Sequence, residues 1–103
     1  MTSTTLLDDW SSCELRQSER TASRVIEGKA VVITVDQNEL HVLNGVGTRV
    51  WQLLDGRGLD AVVETIVSEF EVDSERATGD VRRFVEQLLS LGALQIKRRA
   101  PQP

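Results

Sequence analysis

The stretch Ala30-Val31-Val32-Ile33-Thr34-Val35-Asp36-Gln37-Asn38-Glu39-Leu40-His41-Val42-Leu43-Asn44-Gly45-Val46-Gly47 contains the change of period on which the fold turns. Residues 30–35 are a β-branched run of the kind that packs well on a pleated surface. Asp36, Gln37 and Asn38 supply turn chemistry, because Asp and Asn tolerate left-handed backbone and bond locally. Residues 39–43 alternate imperfectly, as a further strand would. Two such runs so close together predict an antiparallel hairpin. At Asn44 the period changes. An Asn side chain accepts a free backbone N–H at a helix start. Beyond it Val46, Val50, Trp51, Leu53 and Leu54 fall at helical spacing.

Upstream, Ser23-Arg24-Val25-Ile26 reads as a short strand ended by Glu27-Gly28. Downstream, Asp55-Gly56 closes the first helix, with Gly suited to a left-handed helix end. A second helix spans 59–70, with Leu59, Val62, Ile66 and Phe70 on one stripe. Asp73 caps a third helix, and Glu75 suits its positive end. Ala77, Val81, Phe84, Leu88 and Leu91 form its expected buried stripe, with Val85 and Leu89 on the shoulder beside Arg82. This helix stops at Gly92, and residues 93–97 suit a short terminal strand. The expected fold class is α+β and winged-helix-like: three short N-terminal antiparallel strands, three helices, then a short C-terminal strand. Residues 1–22 show no sustained period, with Leu6, Leu7, Trp10 and Leu15 as isolated apolar points. They read as a flexible N-terminal extension with a short helical piece near Leu6 to Leu15. The domain proper is expected over 23–97, and 98–103 as a disordered basic, proline-containing tail.

A chain of 103 residues is long enough for one core and too short for two. It has no apolar run of bilayer-spanning length. Met1 to Trp10 lack the pattern of a secretory signal, so a cytoplasmic location is expected. The net charge of −4 counts against a partner that is mainly phosphate backbone, and no nucleic acid or membrane partner is expected. The basic cluster Lys97-Arg98-Arg99 reads as a solvated tail. Cys13 and His41 are the only residues of their types. They cannot form an internal disulfide or a thiolate metal site. No phosphate loop is present, and Gly45-Val46-Gly47 lacks the third glycine of a dinucleotide turn, so it reads as a helix start. The carboxylates fall on polar helix faces and caps. Trp51 reads as a core residue that needs a partner for its indole N–H. A non-catalytic protein with no cofactor and no metal is expected.

The stretch Leu43-Asn44-Gly45-Val46-Gly47, followed by Val50-Trp51 and Leu54-Asp55-Gly56, resembles the signature of the PqqD family. Leu59, Val62, Ile66 and Phe70 are similar to its second helix, and Asp80-Val81, Phe84-Val85, Leu88 and Gly92 to its third. The resemblance covers about residues 23–96. Gly58 stands where the family often has Thr as a helix cap. The resemblance implies a stand-alone peptide chaperone, a recognition element for ribosomally made, modified peptides. Such a protein binds the leader of a precursor peptide and delivers it to a modifying enzyme, often a radical S-adenosylmethionine enzyme, as in pyrroloquinoline quinone synthesis or a related pathway. It also implies a peptide site: Glu39, Leu40, His41, Val42 and Leu43 as the docking strand, with Arg82, Val85, Glu86 and Leu89 as the opposite groove wall. An edge strand offers unpaired N–H and C=O groups to which an extended peptide can add. The same edge permits strand exchange between copies, giving a swapped homodimer. The rival reading is a winged-helix DNA-binding regulator, for which Arg82-Arg83 and the basic tail would supply the contacts.

Overall fold

The computed structural model describes residues 13–98. In chain order they form β1 (Cys13–Gln17), β2 (Thr21–Ile26), β3 (Lys29–Thr34), β4 (Glu39–Val42), α1 (Gly45–Gln52), α2 (Leu59–Phe70), α3 (Ser74–Ser90) and β5 (Leu94–Arg98). The expected three strands, three helices and terminal strand are present, in a mixed α+β arrangement. No described helix is long and apolar enough to cross a membrane.

β2, β3 and β4 form an antiparallel sheet in that order. Glu27 and Gly28, at φ 52 and 80, make the two-residue turn between β2 and β3. Two positive-φ residues match the natural twist of a hairpin, which is why a glycine stands here. Asn38, at φ 54, plays the corresponding part before β4. The helix caps follow the sequence closely. Asn44 accepts from Gly47 N–H at 2.8 Å, and Asp73 from Arg76 N–H at 3.0 Å. Gly58 starts α2 with no side-chain cap, as its lack of a side chain dictates.

One buried hydroxyl joins the sheet to the helices. Leu43 N–H donates to Ala30 O at 2.8 Å, but the return bond of that rung is relayed. Ala30 N–H donates to Thr48 Oγ1 at 2.8 Å, and the Thr48 hydroxyl donates to Leu43 O at 3.2 Å. The chain thereby leaves β4 for α1 with both main-chain groups satisfied. Nearby, the fully buried Trp51 donates its indole N–H to Ser23 Oγ at 3.1 Å, the partner its burial requires. Arg49 of α1 makes a two-bond pair with Glu69 of α2, both at 2.8 Å. These bonds hold the Glu69 carboxyl below its ordinary range.

The N-terminal boundary differs from the sequence expectation. Residues 13–22 belong to the fold rather than to a flexible extension. β1 pairs antiparallel with β5. Its other side bonds the loop after α1, with Leu15 N–H to Arg57 O at 3.1 Å and Gly56 N–H to Leu15 O at 2.9 Å. Leu15 is fully buried and Cys13 nearly so. A five-residue strand that buries one leucine and one cysteine shows too little alternation to be read from sequence. Cys13 to Leu15 are therefore strand, not helix. β5 runs to Arg98, one residue beyond the expected domain boundary. Leu6, Leu7, Trp10 and residues 99–103 lie outside the described residues.

Two substitutions test this account. Leu15→Ala should destabilise the protein by about 2–5 kcal/mol, the cost of emptying a core leucine site, and by almost nothing if the segment were an appendage. Thr48→Val should cost about 1–3 kcal/mol by stranding a buried donor and acceptor, whereas Thr48→Ser should be much milder. Urea unfolding followed by circular dichroism measures both.

Candidate functional site

β4 is an end strand, paired with β3 on one side, and no described strand pairs with its other side. The bond from Leu43 N–H to Ala30 O sets the phase of the ladder. In an antiparallel pair, alternate residues turn their main-chain groups to opposite sides. Glu39 and His41 therefore face β3, and the N–H and C=O of Leu40 and Val42 face the open edge.

Beside this edge lies an open cleft of about 650 Å³. Val32 and Leu43 line it from the sheet side. The facing wall is one flank of α3, carrying Ala77, Asp80, Val81, Phe84 and Gln87, with Leu91 just beyond its end. Phe70 and Val72 line the part nearest the start of α3, and Val46 contributes from α1. The wall spans four turns of α3, roughly 22 Å at 1.5 Å per residue. Gly47 sets how closely α1 approaches this wall: a Cβ there would stand 3.3 Å from Phe84 Cζ.

The cleft is apolar with few polar points. Asp80 is engaged by Arg83 and, at 3.9 Å, by Arg76, so its charge is compensated along the helix surface. The His41 imidazole faces the cleft. Its Nε2 is shielded from solvent without a hydrogen-bond partner, the nearest carboxylate oxygen being Glu39 Oε1 at 3.7 Å. Among the described residues no group of three His, Cys, Asp or Glu is placed to hold a metal.

The expected docking strand and the expected facing wall fare differently. His41, Val42 and Leu43 line the cleft; Leu43 is buried, Val42 sits at the rim, and Glu39 and Leu40 are exposed on β4. Arg82, Val85, Glu86 and Leu89 do not line it. Val85 is fully buried in the core, where the sequence placed it on a shoulder, while Phe84 is only half-buried and turns to the cleft. Arg82 lies instead in a shallow depression beside Leu59, Asp60 and Val63 of α2. Helical spacing explains the error. At about 100° per residue, the buried stripe Ala77-Val81-Val85-Leu88 has two flanks. Asp80, Phe84 and Gln87 occupy one, and Arg82, Glu86 and Leu89 the other. Periodicity finds the stripe and does not say which flank meets the sheet. The one local signal was Phe84, a large aromatic at the stripe's margin. Two of the basic residues of α3, Arg76 and Arg83, pair with Asp80.

Residues 29–94 match the family model described as coenzyme PQQ synthesis protein D (PqqD). No curated protein sequence matches the chain. Two solved structures are similar. "TbiB1 in complex with the TbiA(beta) leader peptide" is 27% identical, with a TM-score of 0.73 over 78% of this chain and 94% of that one. "Lasso peptide synthetase B1 complexed with the leader peptide" is 25% identical, with a TM-score of 0.71 over 80% and 98%. Neither likeness speaks for a DNA-binding regulator.

Proposed function

This chain belongs to the PqqD family, and from that premise we propose that it is a leader-peptide chaperone, binding an extended precursor peptide by strand addition to β4. The observation that carries the proposal is the coincidence of a free strand edge and an apolar cleft beside the same strand. Leu40 and Val42 offer the main-chain groups that an added strand needs, and the cleft receives side chains from its inward face. The two similar solved structures are both described with a leader peptide bound.

The energetic division is that of strand addition in general. Main-chain bonds along the edge supply affinity for any extended chain, and pockets for alternate side chains supply selectivity. The facing wall is the Asp80-Phe84-Gln87 flank of α3, which replaces the expected Arg82-Val85-Glu86-Leu89 wall. The chain acts by presentation and not by catalysis. It delivers the peptide to a modifying enzyme, a radical S-adenosylmethionine enzyme in a pyrroloquinoline quinone type of pathway. Exchange of β4 edges between two copies would occupy the same groups, so a homodimer of that kind competes with the peptide.

The test is a titration of isotope-labelled protein with synthetic leader segments of candidate precursor peptides. Backbone amide shifts should concentrate at Glu39 to Leu43 and at Ala77, Asp80, Phe84 and Gln87. Shifts confined to β1, β5 or the Arg82-Glu86-Leu89 flank would sink the proposal.

A further inference from the structure

Resting on the peptide-binding role proposed above, we infer that the segment bound at β4 is a continuous apolar run read on both faces, with Leu40 and Val42 selecting the side chains that point away from the cleft. The phase of the ladder decides which residues those are. An added strand hydrogen-bonds through Leu40 and Val42, so the peptide residues directly opposite them carry their side chains on the same face of the sheet as theirs. That face is the outer one, with Val42 at the rim where it meets the cleft. Leu40 pairs with Ile33 and then Ala22, and Val42 with Val31 and then Arg24, in two rows across the sheet. The peptide residues opposite Glu39, His41 and Leu43 point the other way, towards the cleft. Five successive peptide residues therefore alternate in, out, in, out, in.

The outer rows are apolar where an edge is ordinarily protected. Edge strands of soluble proteins carry charges or proline that discourage pairing. Here the two residues with outward main-chain groups are Leu40, 60% exposed, and Val42, 59% exposed, the highest values among the large apolar side chains of the described residues. Ile33 beside Leu40 is 38% exposed, so the row continues inward from the edge. A single exposed aliphatic needs no account. A pair in register, on the one edge that borders the cleft, is what a further strand would cover. Cross-strand neighbours on one face stand close enough to pack, and aliphatic or aromatic pairs are favoured there. A site that read only its cleft would accept a polar residue at every second peptide position. This site selects against one.

The probe is a phage-displayed library of random decapeptides, panned on the full chain. Peptides also retained by a Val42→Pro variant are discarded, since that edge has lost a donor without losing an internal bond. The wild-type chain should enrich runs of about five consecutive apolar residues, the span of peptide facing residues 39–43 in a strand ladder. A Leu40→Ser/Val42→Ser variant should enrich peptides that are apolar at alternate positions only. Serine at both outward positions of an enriched peptide should weaken binding to the wild-type chain roughly threefold to tenfold, two cross-strand pairs' worth. That peptide-side measurement stands whether or not the double variant folds. An alternating pattern on the wild-type chain, or outward serines without effect, overturns the two-faced reading and leaves peptide binding intact; it would mean that the outer rows face another protein. No enrichment at all overturns peptide binding, and this inference with it.

Discussion

The relayed rung at Thr48 is the constraint on which the rest of the molecule depends. A β-sheet and a helix packed on it have different main-chain demands, and the junction between them is where donors and acceptors are stranded. Here the last rung of the β3–β4 pair is opened by one hydroxyl, which satisfies Ala30 N–H and Leu43 O together. The opening lets the chain turn from β4 into α1 at Asn44, whose side chain closes the first helical turn. α1 then lies where Trp51 reaches Ser23 and Arg49 reaches Glu69, so β2 and α2 are fixed from the same element. The position of α3 follows, because it packs on α2 and beside the sheet. The cleft is the space this arrangement leaves between α3 and the edge of β4.

That space explains how the domain keeps an open edge without being consumed by it. The edge is short, four residues, and it is flanked on the cleft side by α3 rather than by flat solvent. Only a chain narrow enough to lie between β4 and α3 can pair with it, which favours a single extended peptide over the sheet of a bulky neighbour. In the proposed role, affinity comes from groups every peptide has, and discrimination from the side chains around them. The second small sheet, β1 with β5, stands apart from this work. It closes the opposite part of the core, ties the loop after α1 through Leu15, and binds the chain's two described ends together.

Much of this was legible in the residues themselves. β3, β4 and the three helices announced themselves through β-branched runs, helical stripes and caps, since each is a local regularity several residues long. Asn44, Asp73 and the Trp51 indole all found the partners their chemistry required. β1 was invisible because its regularity is not local. Leu15 is buried by β5 and by the Arg57 loop, tens of residues away, and five residues with two buried positions look like polar coil. The candidate site divides in the same manner. The end strand β4 could be expected, because a strand followed by a helix cap is a feature of sequence. The facing wall could not, because Phe84 and Val85 are neighbours whose fates differ only by a rotation of the helix.

By itself, then, the sequence determined the order of the elements from β2 onward, the turn at Asn44, and the resemblance that pointed to a peptide. Those are properties of residue type and spacing, which a linear chain carries in full. The tertiary structure alone decided that residues 13–22 belong to the fold, that Asp80, Phe84 and Gln87 form the cleft wall, and that Leu40 and Val42 present their side chains to the outside of an open edge. Each of these depends on which flank of an element meets which neighbour. A periodic pattern states that a face is buried; only the packed chain states against what.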